Sequence, residues 1–266
     1  MSIDRKRLAF STLGCPDWSF ERILSEAAGL GFGAIELRGI GADIEIDSLP
    51  LLAKENRGYV RRALDEAGVG LCALDCSASF DDQTRQERSL SEGRYAIEAA
   101  SELDAPFIRI FGDRIGGGED IALGRTAGGI RRLCLEARGS GVTVLLETHG
   151  DFNTAERLYR TAELVDCPEF GILWDIEHTG RAGENARDFA RRLLPLIKHV
   201  HLKDIDGSGR LCLPGDGALD IAGTAAMLDE LGYSGFYSLE WEKRWHRELP
   251  EPETAFARYA YIMTAD

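Results

Sequence analysis

The chain has 266 residues, 44% of them hydrophobic, enough for a sizeable core built as one large domain or two small ones. A formal net charge of −14 argues against nucleic acid and anionic membrane surfaces as partners, because both are bound mainly through Lys and Arg. No apolar run is long enough to span a membrane, the start MSIDRKRLAFSTLG lacks the pattern of a secretory signal, and the 6 cysteines are scattered without a C-x-x-C pair. A cytoplasmic protein with reduced thiols is therefore expected.

Strand-like runs and helical stretches alternate from end to end. In chain order the runs are LAFSTLG (Leu8 to Gly14), AIELRG (Ala34 to Gly39), LCALDCS (Leu71 to Ser77), FIRIFGD (Phe107 to Asp113), TVLLETH, GILWDIEH, KHVHLKD and FYSLEWE. Stretches such as FERILSEAAGLG, YVRRALDEAGV, GRYAIEAASELDA and ARDFARRLLPLI carry helical spacing, and Gly31, Gly68, Gly141 and Gly232 suit helix C-caps. Parallel neighbours need crossover helices, so the alternation predicts a parallel sheet. Eight such units at this length predict a closed (β/α)₈ TIM barrel, a single α/β domain over 1–266, rather than an open doubly wound sheet. Nucleotide folds lose ground because neither a G-x-G-x-x-G nor a Walker-type loop is present. The least regular segments, 79–93, 115–120 and 206–222, follow strand C-termini, where a barrel places its catalytic loops.

The last four runs each end in a metal-binding side chain: Glu147, Asp175, His201 and Glu240. A buried ionised carboxylate is costly unless a counter-charge compensates it, and a divalent cation would serve all three. Alternation supports this placement. With Glu147 inward, Val144 and Leu146 face the helices; with His201 inward, Val200 and Leu202 do, while His199 and Lys203 join it in the lumen. Glu36 and Arg38 also point inward, either paired with each other or reaching a substrate. Oxygen-rich coordination with one imidazole suits Mn²⁺ best, with Mg²⁺, Co²⁺ and Zn²⁺ admissible. Such a cation polarises a hydroxy-carbonyl substrate and acidifies the adjacent C–H, and a carboxylate on either side can take the proton and return one. Glu147 and Glu240 are the expected acid/base pair, each with a second oxygen free. The plainer alternative is an ion network closed by Arg38, Arg109 and Lys203. His149 and His199 read as hydrogen-bonded barrel residues, Trp18 as a loop anchor, Cys72 and Cys76 as sharing one strand face, and Glu242 as lying beyond the mouth.

The fragments STLGCPDWSFERIL, GFGAIELRG, IRIFGD, LLETHGDF, WDIEH, HVHLKD, LPGDGALD and YSLEWE, in this order, resemble the xylose isomerase-like TIM-barrel superfamily of sugar isomerases and epimerases. The resemblance implies metal ligation by Glu147, Asp175, His201 and Glu240, and substrate binding by His178 and by Lys203 of the H-x-K-D segment. The inward residues Glu36, Arg38 and Arg109 complete the candidate substrate-binding set. It implies an isomerase or epimerase working through a metal-stabilised enediolate on a small sugar or polyol-derived substrate. A dehydratase of the inosose or dehydroshikimate type and a non-catalytic sugar-binding barrel are the alternatives. Barrels of this kind often pair, which admits a homodimer. Two departures stand out. The arginine with which ketose epimerases grip substrate is offset here to Arg210, and CSASF and IRIFGD lack the extra histidines of the three-zinc endonuclease IV cluster.

Overall fold

In a computed structural model describing residues 2–265, eight parallel strands form one sheet ringed by helices. The strands are β1 (Leu8–Phe10), β2 (Ala34–Leu37), β3 (Gly70–Ser79), β4 (Phe107–Phe111), β5 (Thr143–Glu147), β6 (Phe170–Asp175), β7 (Ile197–Leu202) and β8 (Tyr237–Leu239). Each pairs with its sequence neighbour from β2 to β8, and β8 pairs with β1. A parallel bridge between Ser11 and Glu36 brings β1 to β2 and closes the ring. The expected TIM barrel is the fold.

Residues such as Val144, Leu146, Trp174, Val200, Leu202 and Leu239 alternate out of the strands into one continuous core shared with the helices. Burying such side chains supplies most of the driving force for this layer. Helix boundaries follow local chemistry. The Ser19 hydroxyl accepts from the Arg22 amide at the start of α1 (Phe20–Leu30), which ends at Gly31 with φ 77°. The helix α2 (Lys54–Ala67) ends likewise at Gly68, φ 63°. Gly232 sits in the left-handed region just past α8 (Ile221–Glu230), whose C-cap is Leu231. Gly141 differs from expectation. The long α4 (Glu119–Ala137) ends on extended Arg138, and Gly139 and Gly141 both turn the chain only after that.

Three further differences bear on the site. The helix α3 (Gln86–Glu102) takes up much of the expected irregular stretch 79–93. A six-residue helix α6 (Ile176–Arg181) begins directly after Asp175, too short for its period to show in sequence; α5 (Ala155–Val165), α7 (Ala186–Leu193) and α9 (Pro252–Thr264) complete the ring. In β3 the pairing with β2 jumps from Leu71 to Ala73, a bulge of one residue. Cys72 and Cys76 therefore do not share a face. Cys72 packs in the lumen with Ala9, Ala34 and Phe236, while Cys76 lies in the outer core. No helix among the described residues is long and apolar enough to cross a membrane.

Candidate metal and substrate site

The four strand-end residues come together. Glu147, Asp175, His201 and Glu240 are all buried, and each offers a ligand atom within 4.8 Å of the others. Register explains the convergence: Asp175 pairs with His201 across β6 and β7, Ser238 pairs with His201 across β7 and β8, and Glu240 follows two residues on. Thr148 ties β5 to β6 at this level, its hydroxyl accepting from the Asp175 amide at 2.7 Å. One Asp175 oxygen caps α6, accepting from the amides of Glu177 at 2.8 Å and His178 at 3.3 Å, which leaves the other facing the cluster.

The imidazole of His201 is oriented from below. Its Nε2 lies 2.8 Å from Glu36 Oε1, and the second Glu36 oxygen lies 2.5 Å from His199 Nε2. A carboxylate can only accept, so the network assigns the His201 proton to Nε2 and turns the Nδ1 lone pair toward the cluster. There Nδ1 has no hydrogen-bond partner and lies 3.5 Å from Glu147 Oε1 and 3.6 Å from Glu240 Oε1. A lone pair facing two carboxylates calls for a positive charge between them. Without a cation a proton takes that place: burial alone would lower the His201 pKa, yet Glu36 and Glu240 hold it well above its ordinary value, and a bound cation would displace the Nδ1 proton. Asp175 Oδ2 and Glu147 Oε2 are likewise buried without hydrogen bonds. The unpartnered His201 Nδ1 and the oxygen-rich donor set around it fit a divalent cation held by these four residues.

The outer oxygens of the carboxylates are taken by protein cations, contrary to the expectation that Glu147 and Glu240 each keep one free. Arg109 Nε lies 3.2 Å from Glu147 Oε2, and Lys203 Nζ donates to Glu240 Oε2 at 2.7 Å. Lys203 Nζ also donates to Glu242 at 2.9 Å and lies 2.8 Å from Asp175 Oδ2 without hydrogen-bond geometry. Burial disfavours charge on Glu147, but Arg109 and His201 outweigh it and hold its pKa well below the usual range. At Glu240 burial prevails over Lys203 and His201, and its pKa is raised.

A cavity of about 260 Å³ opens above the cluster, lined among others by Glu147, Glu240, Lys203, His178, Arg38 and Arg109. His178 is partly exposed, its Nδ1 3.3 Å from Glu177, with its ring edge-on to His149 at 4.9 Å. Arg38 donates to Ile44 O and to Ser77 Oγ, each at 2.9 Å, and does not pair with Glu36. Glu36 itself is fully buried beneath the cluster, away from the cavity lining. His149 and His199 are hydrogen-bonded to Asp113 and Glu36 as expected, and Trp18 packs edge-on against Phe256.

Sequence reasoning passed over Asp75, Glu177 and the close contact of Glu242. Asp75 is buried in the lumen, its nearest cation being Arg109 Nη2 at 3.4 Å; burial and Glu36 push its pKa well above the carboxylate range. Its signal was an acid inside an apolar strand. Glu177 is buried and ion-paired to Arg181 one helical turn on. Glu242 reaches back to Lys203 instead of lying beyond the mouth.

Residues 24–260 match the xylose isomerase-like TIM barrel family, and the chain belongs to that family. It is 29% identical over 266 residues to an inosose dehydratase from Klebsiella pneumoniae, covering 85% of this chain and 83% of the relative. The fold superposes on the E. coli 3-keto-D-glucoside 4-epimerase YcjR with a TM-score of 0.80 at 19% identity, over 97% of this chain and 99% of that one. It superposes on the protein IolI, crystallised with a bound zinc atom, with a TM-score of 0.79 at 18% identity, over 97% and 98% of the two chains.

Proposed function

We propose that this chain is a divalent-cation-dependent enzyme that moves a proton on a carbon beside the carbonyl of a small polyhydroxylated compound, isomerising or epimerising it. The observation that carries this reading is the pair Glu147 and Glu240, brought from β5 and from the end of β8 to within 3.5 and 3.6 Å of His201 Nδ1, both lining one open cavity. When bound by Glu147, Asp175, His201 and Glu240, a cation of the Mn²⁺ type (Mg²⁺, Co²⁺ and Zn²⁺ being the others the donors admit) supplies Lewis acidity to the carbonyl oxygen. Glu147 takes the proton from one face of the carbon and Glu240 returns one from the other, each through a lone pair that its outer oxygen retains beside Arg109 or Lys203. His178, Lys203, Arg38 and Arg109 hold the hydroxyls, and Glu36 sets the ring of His201 from beneath. On this reading the chain works in the cytoplasm on a small molecule and not on nucleic acid.

A second reading shares the first step. After Glu147 removes the proton, the electrons form a C=C bond as the C–O bond to the neighbouring hydroxyl breaks, and that hydroxyl leaves as water with a proton from His178. The match to an inosose dehydratase supports it as a dehydratase. The test is a screen of ketoses and inososes with added Mn²⁺, following solvent-deuterium uptake by NMR and product mass. Conserved mass identifies an isomerase or epimerase; loss of one water identifies a dehydratase. Glu147→Gln is expected to keep the cation and lose at least a thousandfold in turnover, and retained turnover would overturn its role. Binding of a sugar with no deuterium uptake anywhere in the screen would favour a non-catalytic barrel.

A further inference from the structure

We propose that the substrate is longer than one sugar ring: an uncharged glycoside whose reacting keto-sugar occupies the inner cavity and whose appended group lies in a second cavity beside it. This rests on the proton-transfer reading above for the identity of the reacting end. The second cavity holds about 970 Å³ and shares His178, Lys203 and Glu242 with the inner one, so the two adjoin at those side chains. Pockets for small molecules span about 300 to 1,000 Å³. The inner cavity alone is at the lower limit and suits a single ring, whereas the outer one is more than a monosaccharide requires.

The outer cavity is built rather than left over between mobile loops. One wall is the segment after β7, where the chain forms a two-residue hairpin (Asp204–Ile205 with Leu211–Cys212) and returns to α8. Buried Asp204 holds it: its carboxylate accepts from the amides of Ile205, Gly215, Gly217 and Leu219 at 2.9 to 3.0 Å. A side chain at Gly217 would collide with that carboxylate at 2.2 Å. The facing wall follows β8 and is held by buried Lys243, which donates to Arg247 O at 2.9 Å, Leu249 O at 2.5 Å and Glu251 at 3.0 Å. Two buried charges thus spend their hydrogen bonds on fixing two loops, and such pre-organisation lowers the entropy a ligand must overcome.

The lining argues for the class of ligand. Leu211 and Leu213 on one wall and Leu249 and Pro250 on the other give apolar surfaces suited to the faces of a ring. The charges argue against a phosphate or carboxylate. The lining cations Lys203, Arg181 and Arg210 all have acidic partners already, in Glu242, Glu177 and Asp206. Glu248 adds negative charge on the wall after β8, and Asp216, paired to Arg258, lies on the wall after β7. Anion recognition needs uncommitted Arg, Lys or amide donors; Lys203 and Arg181 are committed, and the one loosely held cation, Arg210, is 82% exposed, 3.5 Å from Asp206.

The test compares three probes on the Mn²⁺-loaded protein: the 3-ulose of D-glucose, its phenyl β-glycoside, and D-fructose 6-phosphate. Affinity is read by calorimetry and proton transfer by deuterium uptake. The glycoside is expected to bind at least tenfold more tightly than the free ulose, and Leu213→Trp, which fills the outer cavity, to remove that gain while leaving ulose affinity within twofold. Leu211→Trp on the hairpin repeats the test should the first variant not fold. Equal affinity for ulose and glycoside, tightest binding of the phosphate, or a glycoside preference indifferent to both substitutions would overturn the proposal. Should the glycoside gain appear and vanish as stated with no deuterium uptake from any probe, the two-part groove stands and the proton-transfer reading falls.

Discussion

His201 Nε2 and Glu36 Oε1 lie 2.8 Å apart beneath the ligand cluster, and this one contact decides which imidazole nitrogen faces the cavity. Outer partners of this kind fix the tautomer of a ligating histidine, and their loss typically lowers metal affinity about 10–100-fold. Glu36→Gln replaces an obligate acceptor with a side chain that can also donate, which frees His201 to carry its proton on Nδ1, toward the carboxylates. Mn²⁺ affinity by calorimetry is expected to fall within that range with the fold intact. An unchanged affinity would show that β7 geometry alone orients the ring.

Lys203 stands among Asp175, Glu240 and Glu242 with its ammonium 2.7 to 2.9 Å from each. Removing one partner from a buried charged group costs about 3–5 kcal/mol, because the remaining charges are left uncompensated. Lys203→Met is expected to destabilise the cation-free protein by that order in urea denaturation. Saturating Mn²⁺ should restore part of the loss, since it adds positive charge beside the same carboxylates. A loss of equal size with and without Mn²⁺ would mean that the lysine acts through packing alone.

The cation itself is linked to folding. A ligand that binds only the native state stabilises it by about 2.7 kcal/mol at a hundredfold excess over its Kd. The orphaned atoms of His201, Asp175 and Glu147 exist as one cluster only when β5 to β8 are assembled. Addition of Mn²⁺ or Zn²⁺ to chelator-treated protein should therefore raise Tm in a concentration-dependent way, and Asp175→Asn should blunt the rise. A Tm indifferent to every divalent ion up to millimolar concentration would remove the metal from the account.

The strand ends were legible in sequence because outer-core and lumen positions alternate through the ends of β5, β7 and β8: Val144 and Leu146, Val200 and Leu202, and Leu239 and Trp241 enter the core shared with the helices, which leaves the odd positions Glu147 and His201 and the even position Glu240 in the lumen. The same count fails in β3. The bulge beside Cys72 resets the alternation, so Asp75 and Cys72 both face inward although they are three positions apart, an odd interval. Contacts set by long side chains were hidden for another reason. Lys203 and Arg109 were read as inward from position, but which carboxylate oxygen each takes depends on barrel stagger, which no local pattern encodes. The fold and the ligand set were thus written in periodicity; the ion-pair partners were decided by closure of the ring.

Two adjacent glycines of α4 give a prediction of opposite signs. Gly128 faces solvent with nothing within 4 Å of an added Cβ, whereas a Cβ on buried Gly129 would meet the Phe80 ring at 2.2 Å. In a helix interior Ala is favoured over Gly by about 1 kcal/mol, so Gly128→Ala should stabilise the protein by up to that amount. At Gly129 the same propensity gain is opposed by overpacking, which typically costs about 1–3 kcal/mol. Phe80 is wholly buried and held by the core on its other side, so it has little room to withdraw. Gly129→Ala should therefore lower stability on balance. Urea midpoints for the two variants decide the matter: a higher midpoint for Gly129→Ala than for the parent would mean that Phe80 moves aside, and that the α4–β3 packing is looser than the contact implies.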